Sequence, residues 1–310
     1  MNNLVSVIIT TYKRNDLLPR AINSVLNQTY PFVEVIVVDD NDSDSEYRLA
    51  TEKLMKEKYS NHANVLYVRM ANNSGACAAR NRGVLAAKGK YINFLDDDDE
   101  FLPKKLEKQV KIFESNSELS VVGCYAEIVD EYEVLKAHEK TQIRGNVFFE
   151  QLCHNLNTTS LSLIRKDVYV QSGGFEQMHS SQEHWMFAKI YAINPMYDYV
   201  PEIMVRLHHH SGDRISTNKN KPLGAIELAK KVKAYYPMLS VSQRQMLEGC
   251  MLENIIFAYL NMGEKNQALT YFRKYIRNTE IHVIQKIKLG VMCLIGLDNY
   301  RFLLKYMKKI

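Results

Sequence analysis

Long apolar runs, cysteine pairs and glycine-rich loops are what this sequence lacks. Its longest apolar run, LGVMCLIGL at residues 289–297, is too short to cross a bilayer as a helix, so no multi-span membrane synthase is expected. The five cysteines (Cys77, Cys124, Cys153, Cys250 and Cys293) are odd in number and stand in no CxxC spacing. That argues against a disulfide framework or a zinc site and suits a reducing cytoplasm. Residues 4–9, LVSVII, are apolar but short and have no basic leader, so they predict a buried strand rather than a signal peptide. Where a nucleotide-binding Gly-rich loop would follow that strand, the sequence reads TTYKRND. The absence of GxGxxG removes the dinucleotide oxidoreductases, and the absence of any glycine there argues against a nucleotidyltransferase. Most of the chain also lacks net charge. The formal excess of +5 sits at the C-terminus, where Lys286, Lys288, Arg301, Lys305, Lys308 and Lys309 face only Asp298 over residues 281–310. An anionic partner is therefore expected at that end, and no nucleic-acid partner.

What is present is an alternation of strand and helix signals. VSVIIT (5–10), VEVIVV (33–38), VLYVR (65–69) and YINFL (91–95) read as strands. Between them, residues 16–28 predict a helix with Asp16 as its cap, residues 44–58 a polar helix, and residues 74–88 a helix opened by Ser74. This predicts an α/β fold with a mostly parallel central sheet flanked by helices. Beyond residue 120, strands are expected at 121–130, 158–167 and 203–216, and a helix at 182–193. From about Pro222 onward the pattern is helical.

Polar residues gather where the first, second and fourth strands end: Thr10-Thr11-Tyr12, Asp39-Asp40, and the run Asp96-Asp97-Asp98-Asp99-Glu100. In an open α/β sheet the ligand crevice lies outside the carboxyl ends of the strands. Three separate stretches thus converge on one edge. Adjacent carboxylates repel unless a cation neutralises them, and a hard divalent ion takes oxygen ligands. Side chains two apart in extended chain share a face, which pairs Asp96 with Asp98. A solvated acidic turn before a helix near Pro103, with Asp99 or Glu100 favoured by the helix dipole, is the plainer alternative. For Asp39-Asp40 the alternatives are a capping pair or a receiver-type acidic pocket.

The stretches VSVIITTYKRNDLLPRAINSVLNQTYPFVEVIVVDDNDSD and NNSGACAARNRGVLAAKGKYINFLDDDDEFLPKKL resemble the family 2 glycosyltransferases in order and spacing. The resemblance covers roughly residues 4–215 and is most specific over 4–106. It implies a GT-A (Rossmann-like) fold and inverting transfer of a sugar from a nucleotide-sugar to an acceptor hydroxyl. By this resemblance Thr10, Thr11, Tyr12 and Arg14 line the nucleobase pocket, and Asp40, with Asp39 beside it, accepts from the base N3–H. Gly75 allows close backbone approach, Arg80 orients the diphosphate or the acidic loop, and Asp97 joins the nucleotide-binding set. Asp96 and Asp98 occupy the acid–any–acid positions that hold Mn2+ or Mg2+.

The resemblance also places the general base at Glu183 in SSQEHWMFAKI, with Gln182 where an acid is common. His184 is a second-choice base, and Trp185 an acceptor-site candidate. In LHHHSGDRIS, His210 is the expected further metal ligand, with His208 as alternative and Arg214 as a phosphate contact. The implied organisation is a catalytic domain over 1–218 (nucleotide-sugar half about 1–115, acceptor half about 116–218) and a helical region over 219–310. The implied donor is a UDP-sugar of the galactose, glucose or N-acetylhexosamine class, with a dTDP-rhamnose-type donor or a non-catalytic carbohydrate-binding relative as alternatives. The acceptor is a glycan or lipid-linked glycan of bacterial surface polysaccharide synthesis. A cytoplasmic location at the inner face of the membrane follows, with the basic C-terminal helices serving as a peripheral membrane contact or a homodimer contact.

Overall fold

The computed structural model describes residues 3–209, 220–278 and 280–300. The chain divides into two compact units. One comprises Met1–Gln151, Asn155–Gln177 and Met186–Gly212; the other comprises Leu152–His154, Met178–Trp185 and Asp213–Ile310.

In the first unit β1 (Val5–Thr11), β2 (Val33–Asp39), β3 (Val65–Arg69) and β4 (Tyr91–Asp96) alternate with α1 (Leu18–Leu26), α2 (Glu46–Leu54) and α3 (Ala76–Ala86). A short β5 (Glu100–Phe101) precedes α4 (Lys105–Ser115). There follow β6 (Val121–Asp130), β7 (Leu135–Glu139), β8 (Gly145–Asn146), α5 (Phe148–Cys153), β9 (Leu163–Arg165), α6 (Lys166–Gln171), α7 (Gln182–Ile193) and β10 (Met196–His209), with Leu152–Cys153 of α5 and Gln182–Trp185 of α7 counted in the second unit. All ten strands form one sheet in the order β3-β2-β1-β4-β9-β6-β10-β5, with β7 on β6 and β8 on β10. The β3-β2-β1-β4 block is parallel, as is the β6-β10 pair. The three-residue β9 runs antiparallel to both β4 and β6 and joins the two blocks.

Strand parity divides the core, because successive side chains point to opposite faces. Val5, Val7, Ile9, Val35, Val37 and Leu95 pack with Leu18, Ile22 and Val25 of α1 and with Leu106, Val110 and Phe113 of α4. Ile8, Ile36, Val38, Ile92 and Phe94 pack on the other face with Ala79 and Val84 of α3 and Phe187 and Ile190 of α7. Strands buried on both faces read as near-continuous apolar runs, which is why β1, β2 and β4 are plain in the sequence. On α3 the sheet comes so close that a Cβ at Gly83 would sit 2.4 Å from Ile8 Cγ2 and 3.1 Å from Val38 Cγ2. Overpacking of this kind costs about 1–3 kcal/mol, so Gly83→Ala is expected to lower the melting temperature by about 5 °C. An unchanged thermal melt would show that α3 shifts freely on the sheet.

Several local expectations are corrected. Leu17, not Asp16, is the N-cap position of α1 and makes no side-chain cap bond. Gly75, not Ser74, precedes α3. Residues 158–167 form a strand only over Leu163–Arg165, since the carbonyls of Thr159 and Ser162 accept from the buried Asn93 side chain and hold the chain in a turn. Glu100, expected in the plainer alternative as part of a solvated turn before the helix, instead pairs with Arg206 as β5 joins β10.

The second unit carries α8 (Lys221–Lys231), α9 (Val241–Asn261), α10 (Lys265–Tyr275) and α11 (Val283–Ile295). Ser240 and Gln243 form a reciprocal capping box at the start of α9. Ile256, Leu260, Ala268, Tyr275, Leu289 and Cys293 form a core among α9, α10 and α11. Among the described residues no helix is long and apolar enough to cross a membrane.

Candidate active site

The parallel register sets three polar strand ends side by side: Thr11 lies opposite Asp39 on β2, and Thr10 opposite Asp96 on β4. Asp39 at the end of β2 and Asp40 just beyond it both accept from protein groups. Asp39 is fully buried; its Oδ1 accepts from Asn41 N at 2.9 Å and Nδ2 at 2.8 Å, and its Oδ2 accepts from Tyr67 Oη at 2.5 Å. Arg48 Nε lies 3.2 Å from Asp39 Oδ2, and its guanidinium also donates to the carbonyls of Asp39, Asn41 and Met70. Burial, then the Asp39 charge, pushes the Tyr67 hydroxyl up and keeps it a donor. Asn41 Oδ1 in turn accepts from Lys13 N at 2.8 Å. That bond pins Lys13 at φ 59, a left-handed conformation that costs a non-glycine residue about 1–2 kcal/mol.

Asp40, expected to accept from a nucleobase, also organises the loop before α3 with its carboxylate. Oδ1 accepts from Ser74 N and Oδ2 from Gly75 N, each at 2.9 Å, and Asn73 Nδ2 lies 3.2 Å from Oδ2. Burial raises the Asp40 carboxyl, and the two backbone amides oppose the rise. Gly75, at φ +84, supplies the backbone turn that brings its amide to Asp40. Tyr12 beside this loop is 40% exposed, with Lys13 Nζ 4.9 Å from its ring centroid.

The acidic run is the densest charge at this edge. After Asp96 the chain turns, with Asp99 N donating to Asp96 O at 3.1 Å. Asp97 and Asp99 are buried while Asp96 and Asp98 are half-buried. Protein cations meet several of these charges. Arg14 lies 2.6 Å from Asp98 Oδ2 and 3.4 Å from Asp97 Oδ1. Arg80 lies 2.8 Å from Asp96 Oδ1, its guanidinium over the Phe175 ring at 5.2 Å. Arg20 donates to the Asp98 carbonyl. Asp99 Oδ1 accepts from His208 N at 3.0 Å. Even so, burial pushes the Asp97 carboxyl up to about 7, with Asp98 and Asp96 adding to the rise. Burial, then Asp96 and Asp98, raises Asp99 well above the carboxylate range. Carboxylate oxygens of Asp96, Asp98 and Asp99 all lie within 4.8 Å of one another. An all-oxygen donor set of this charge suits a hard divalent ion. The turn thus brings Asp99 to the pair expected at alternate positions, while Arg14 bridges Asp98 and the buried Asp97.

At the start of α4 sits a buried cation that the sequence did not single out. Lys105 Nζ donates to Asn93 Oδ1 at 2.7 Å and Gln109 Oε1 at 2.8 Å. Burial lowers its pKa from 10.5 to about 8. Between those values the unfolded chain keeps a proton that the folded chain has lost, so stability rises with pH across that window. At about 1.4 kcal/mol per unit, the rise is about 3 kcal/mol. Urea titrations at pH 8, 9 and 10 should show it, and Lys105→Met should flatten it.

His208 is no free ligand: its ring is buried, with Nε2 3.3 Å from Glu100 and Nδ1 3.4 Å from Glu133. His210 and Arg214 lie outside the described residues. Glu183, His184 and Trp185 fall in the second unit. Glu183 is half-buried in the first turn of α7. His184, the second-choice base, is buried with Nε2 3.2 Å from Leu152 O. Trp185 is 7% exposed, packed beside Tyr235 with Lys231 Nζ 5.3 Å from its ring. Lys189, six residues past Glu183, donates to Gly174 O and Glu176.

The sequence model of glycosyl transferase family 2 matches residues 6–172, which spans the strand ends and the whole Asp96–Glu100 run. The chain belongs to glycosyl transferase family 2. Among curated relatives, the uncharacterized glycosyltransferase MJ1057 of Methanocaldococcus jannaschii is 27% identical over 66% of this chain and 70% of its own length. The putative colanic acid biosynthesis glycosyl transferase WcaA of Escherichia coli is 31% identical over 48% of this chain and 54% of its own. The putative teichuronic acid biosynthesis glycosyltransferase TuaG of Bacillus subtilis is 38% identical over 37% and 43%. The match thus spans about half the length of these last two relatives. The family's GT-A fold is shared with solved structures. TarS 1–349 of S. aureus in complex with UDP-GlcNAc has a TM-score of 0.70 at 16% identity, covering 99% of this chain and 92% of that one. The Pyrobaculum calidifontis mannosyltransferase PcManGT, with GDP-Man and Mn2+, has a TM-score of 0.59 at 16% identity, covering 96% and 82%.

Proposed function

We propose that this family 2 glycosyltransferase moves a sugar of the galactose, glucose or N-acetylhexosamine class from a UDP-sugar to a hydroxyl of a glycan acceptor, with inversion. The observation that carries this reading is the convergence of Asp96, Asp98 and Asp99 at the carboxyl edge of the sheet. These three would hold Mn2+ or Mg2+, with His210 as a further ligand. Bound there, the ion supplies positive charge opposite a departing diphosphate. Arg14 and Arg80 add fixed positive charge at the same edge. Tyr12 offers a ring face and Thr10 a hydroxyl to a pyrimidine. Asp40 Oδ1, which accepts one amide, keeps a lone pair for the base N3–H. Glu183 takes the proton from the acceptor hydroxyl as general base, with Trp185 as an acceptor-side surface. Residues 1–218 form the catalytic domain and 219–310 a helical region.

The UDP-GlcNAc bound by the TarS neighbour supports the donor class. The colanic and teichuronic acid relatives support work on a bacterial surface polysaccharide, and the cytoplasmic face of the membrane is the location proposed for it. On α11, Val283, Ile284, Ile287 and Leu294 are exposed beside Lys286 and Lys288, which supports peripheral contact with an anionic bilayer. A homodimer through the same face is the competing use, and size-exclusion chromatography separates the two.

The test of the transfer reading is a thermal-shift series with nucleotides. UDP with Mn2+ at 100 times its Kd should stabilise the fold by about 2.7 kcal/mol, and ADP should not. Glu183→Gln should keep that shift yet lose transfer. Equal shifts with ADP, or none with UDP, would overturn the donor assignment.

A further inference from the structure

The helical unit contains a cavity of about 500 Å3 that none of the chemistry above uses. One wall is a single face of α9: Gln245, Glu248, Leu252 and Ile255 recur at helical spacing. Met251 and Ile255, both buried, and Ala229 of α8 make the floor apolar. The rim is cationic. Lys233 lies just past α8, Lys274 on the last turn of α10 and Arg277 just beyond it, and all three are exposed. Among the described residues none of the three is in an ion pair; Lys274 only rests over the Tyr271 ring at 5.5 Å. The one lining carboxylate, Glu248, accepts from Tyr236 Oη at 2.9 Å. Three cations against that single carboxylate leave the rim net positive over an apolar floor, and an anion among them would relieve the remaining repulsion.

We propose that this cavity binds a phosphate group carried on an alkyl or isoprenoid chain, with the phosphate among Lys233, Lys274 and Arg277 and the first carbons of the chain on Met251, Leu252 and Ile255. Arginine and lysine favour phosphate through charge-assisted hydrogen bonds. An apolar floor of this kind gives no advantage to a bare ion. No lining residue of the cavity is given a part in sugar transfer above, so the site holds whether or not the donor is a UDP-sugar.

Calorimetry with the full chain tests it. Monomeric decyl phosphate should bind at least about 10-fold more tightly than inorganic phosphate or decyl maltoside, since one probe lacks the chain and the other the charge. Lys233→Gln, Lys274→Gln and Arg277→Gln should each weaken decyl phosphate by about 10-fold, with the thermal melt unchanged. Leu252→Trp, which fills the floor, should weaken decyl phosphate and spare any adventitious phosphate binding. Phosphatidylglycerol vesicles that compete with decyl phosphate would identify a lipid headgroup as the source; absence of competition would identify a phosphate-bearing molecule outside the bilayer. Equal affinity for decyl maltoside, or full affinity in the triple glutamine variant, would overturn the proposal.

Discussion

Asp98→Asn is expected to reduce sugar transfer by about 100- to 1000-fold, the scale seen when one preorganised electrostatic contact to the reacting group is lost, while the melting temperature changes little. Asp98 is half-buried and supplies one of three carboxylates that converge within 4.8 Å. Asparagine keeps its shape and one acceptor oxygen but removes the charge that a divalent ion needs. The stability cost is small because two effects oppose. The variant loses the 2.6 Å ion pair with Arg14, but it also relieves repulsion among neighbouring carboxylates. Asp97→Asn is the informative comparison. Its carboxyl is pushed up to about 7 by burial and adjoining charge, so near neutrality it already carries only part of its charge, and its loss should cost transfer about 10-fold or less. Transfer assays at saturating Mn2+ read both. If Asp97→Asn is as inactive as Asp98→Asn, the trio has been assigned wrongly.

Arg48→Ala is expected to destabilise the fold by about 3–5 kcal/mol, the cost of stranding a buried charge. Asp39 has no exposed surface, and Arg48 is its cationic partner at 3.2 Å. The same guanidinium satisfies three backbone carbonyls, so its removal leaves buried acceptors without donors as well. Against a total stability of about 5–15 kcal/mol, this is a large share, and urea denaturation should show it directly. Arg48→Lys keeps the charge but not the planar fork, so its loss should fall between those of alanine and wild type. Arg69→Ala is the control. Arg69 is exposed and pairs with Glu52 at 3.1 Å, a surface contact worth under about 1 kcal/mol. An Arg48→Ala loss no larger than that of Arg69→Ala would mean that Asp39 is solvated after all.

The contrast between these residues shows what could be read from the chain. The strands and their acidic ends were legible because a parallel sheet buried on both faces must be apolar throughout, which leaves its carboxyl edge as the place for polar groups. Alternation paired Asp96 with Asp98, but it fails once the chain turns, and the turn is what adds Asp99. Arg48 gave no signal: a lone arginine in a polar helix looks like any surface residue until the fold carries it beneath β2. Asp40 was legible as a site residue, but its hold on the amides of residues 74–75 depends on α3 returning to it from 34 residues away. Lys105 drew no reading of its own beyond the helix expected near Pro103, because nothing local distinguishes a buried lysine from an exposed one. TTSLSLIRKD has strand-forming composition, yet most of it is a turn, because distant Asn93 competes for its carbonyls.

The three-residue antiparallel strand β9 has a consequence for the order in which this chain folds. The β3-β2-β1-β4 block needs only short crossovers and can assemble from the first hundred residues as they emerge. The β6-β10 pair cannot join that block until residues 163–165 have travelled back to pair with β4, across a separation of more than sixty positions. Closing so long a loop costs entropy that only a few ladder bonds repay directly. The join between the blocks is therefore the late step of folding, and until it forms the edge of β4 stays open to pairing with another chain.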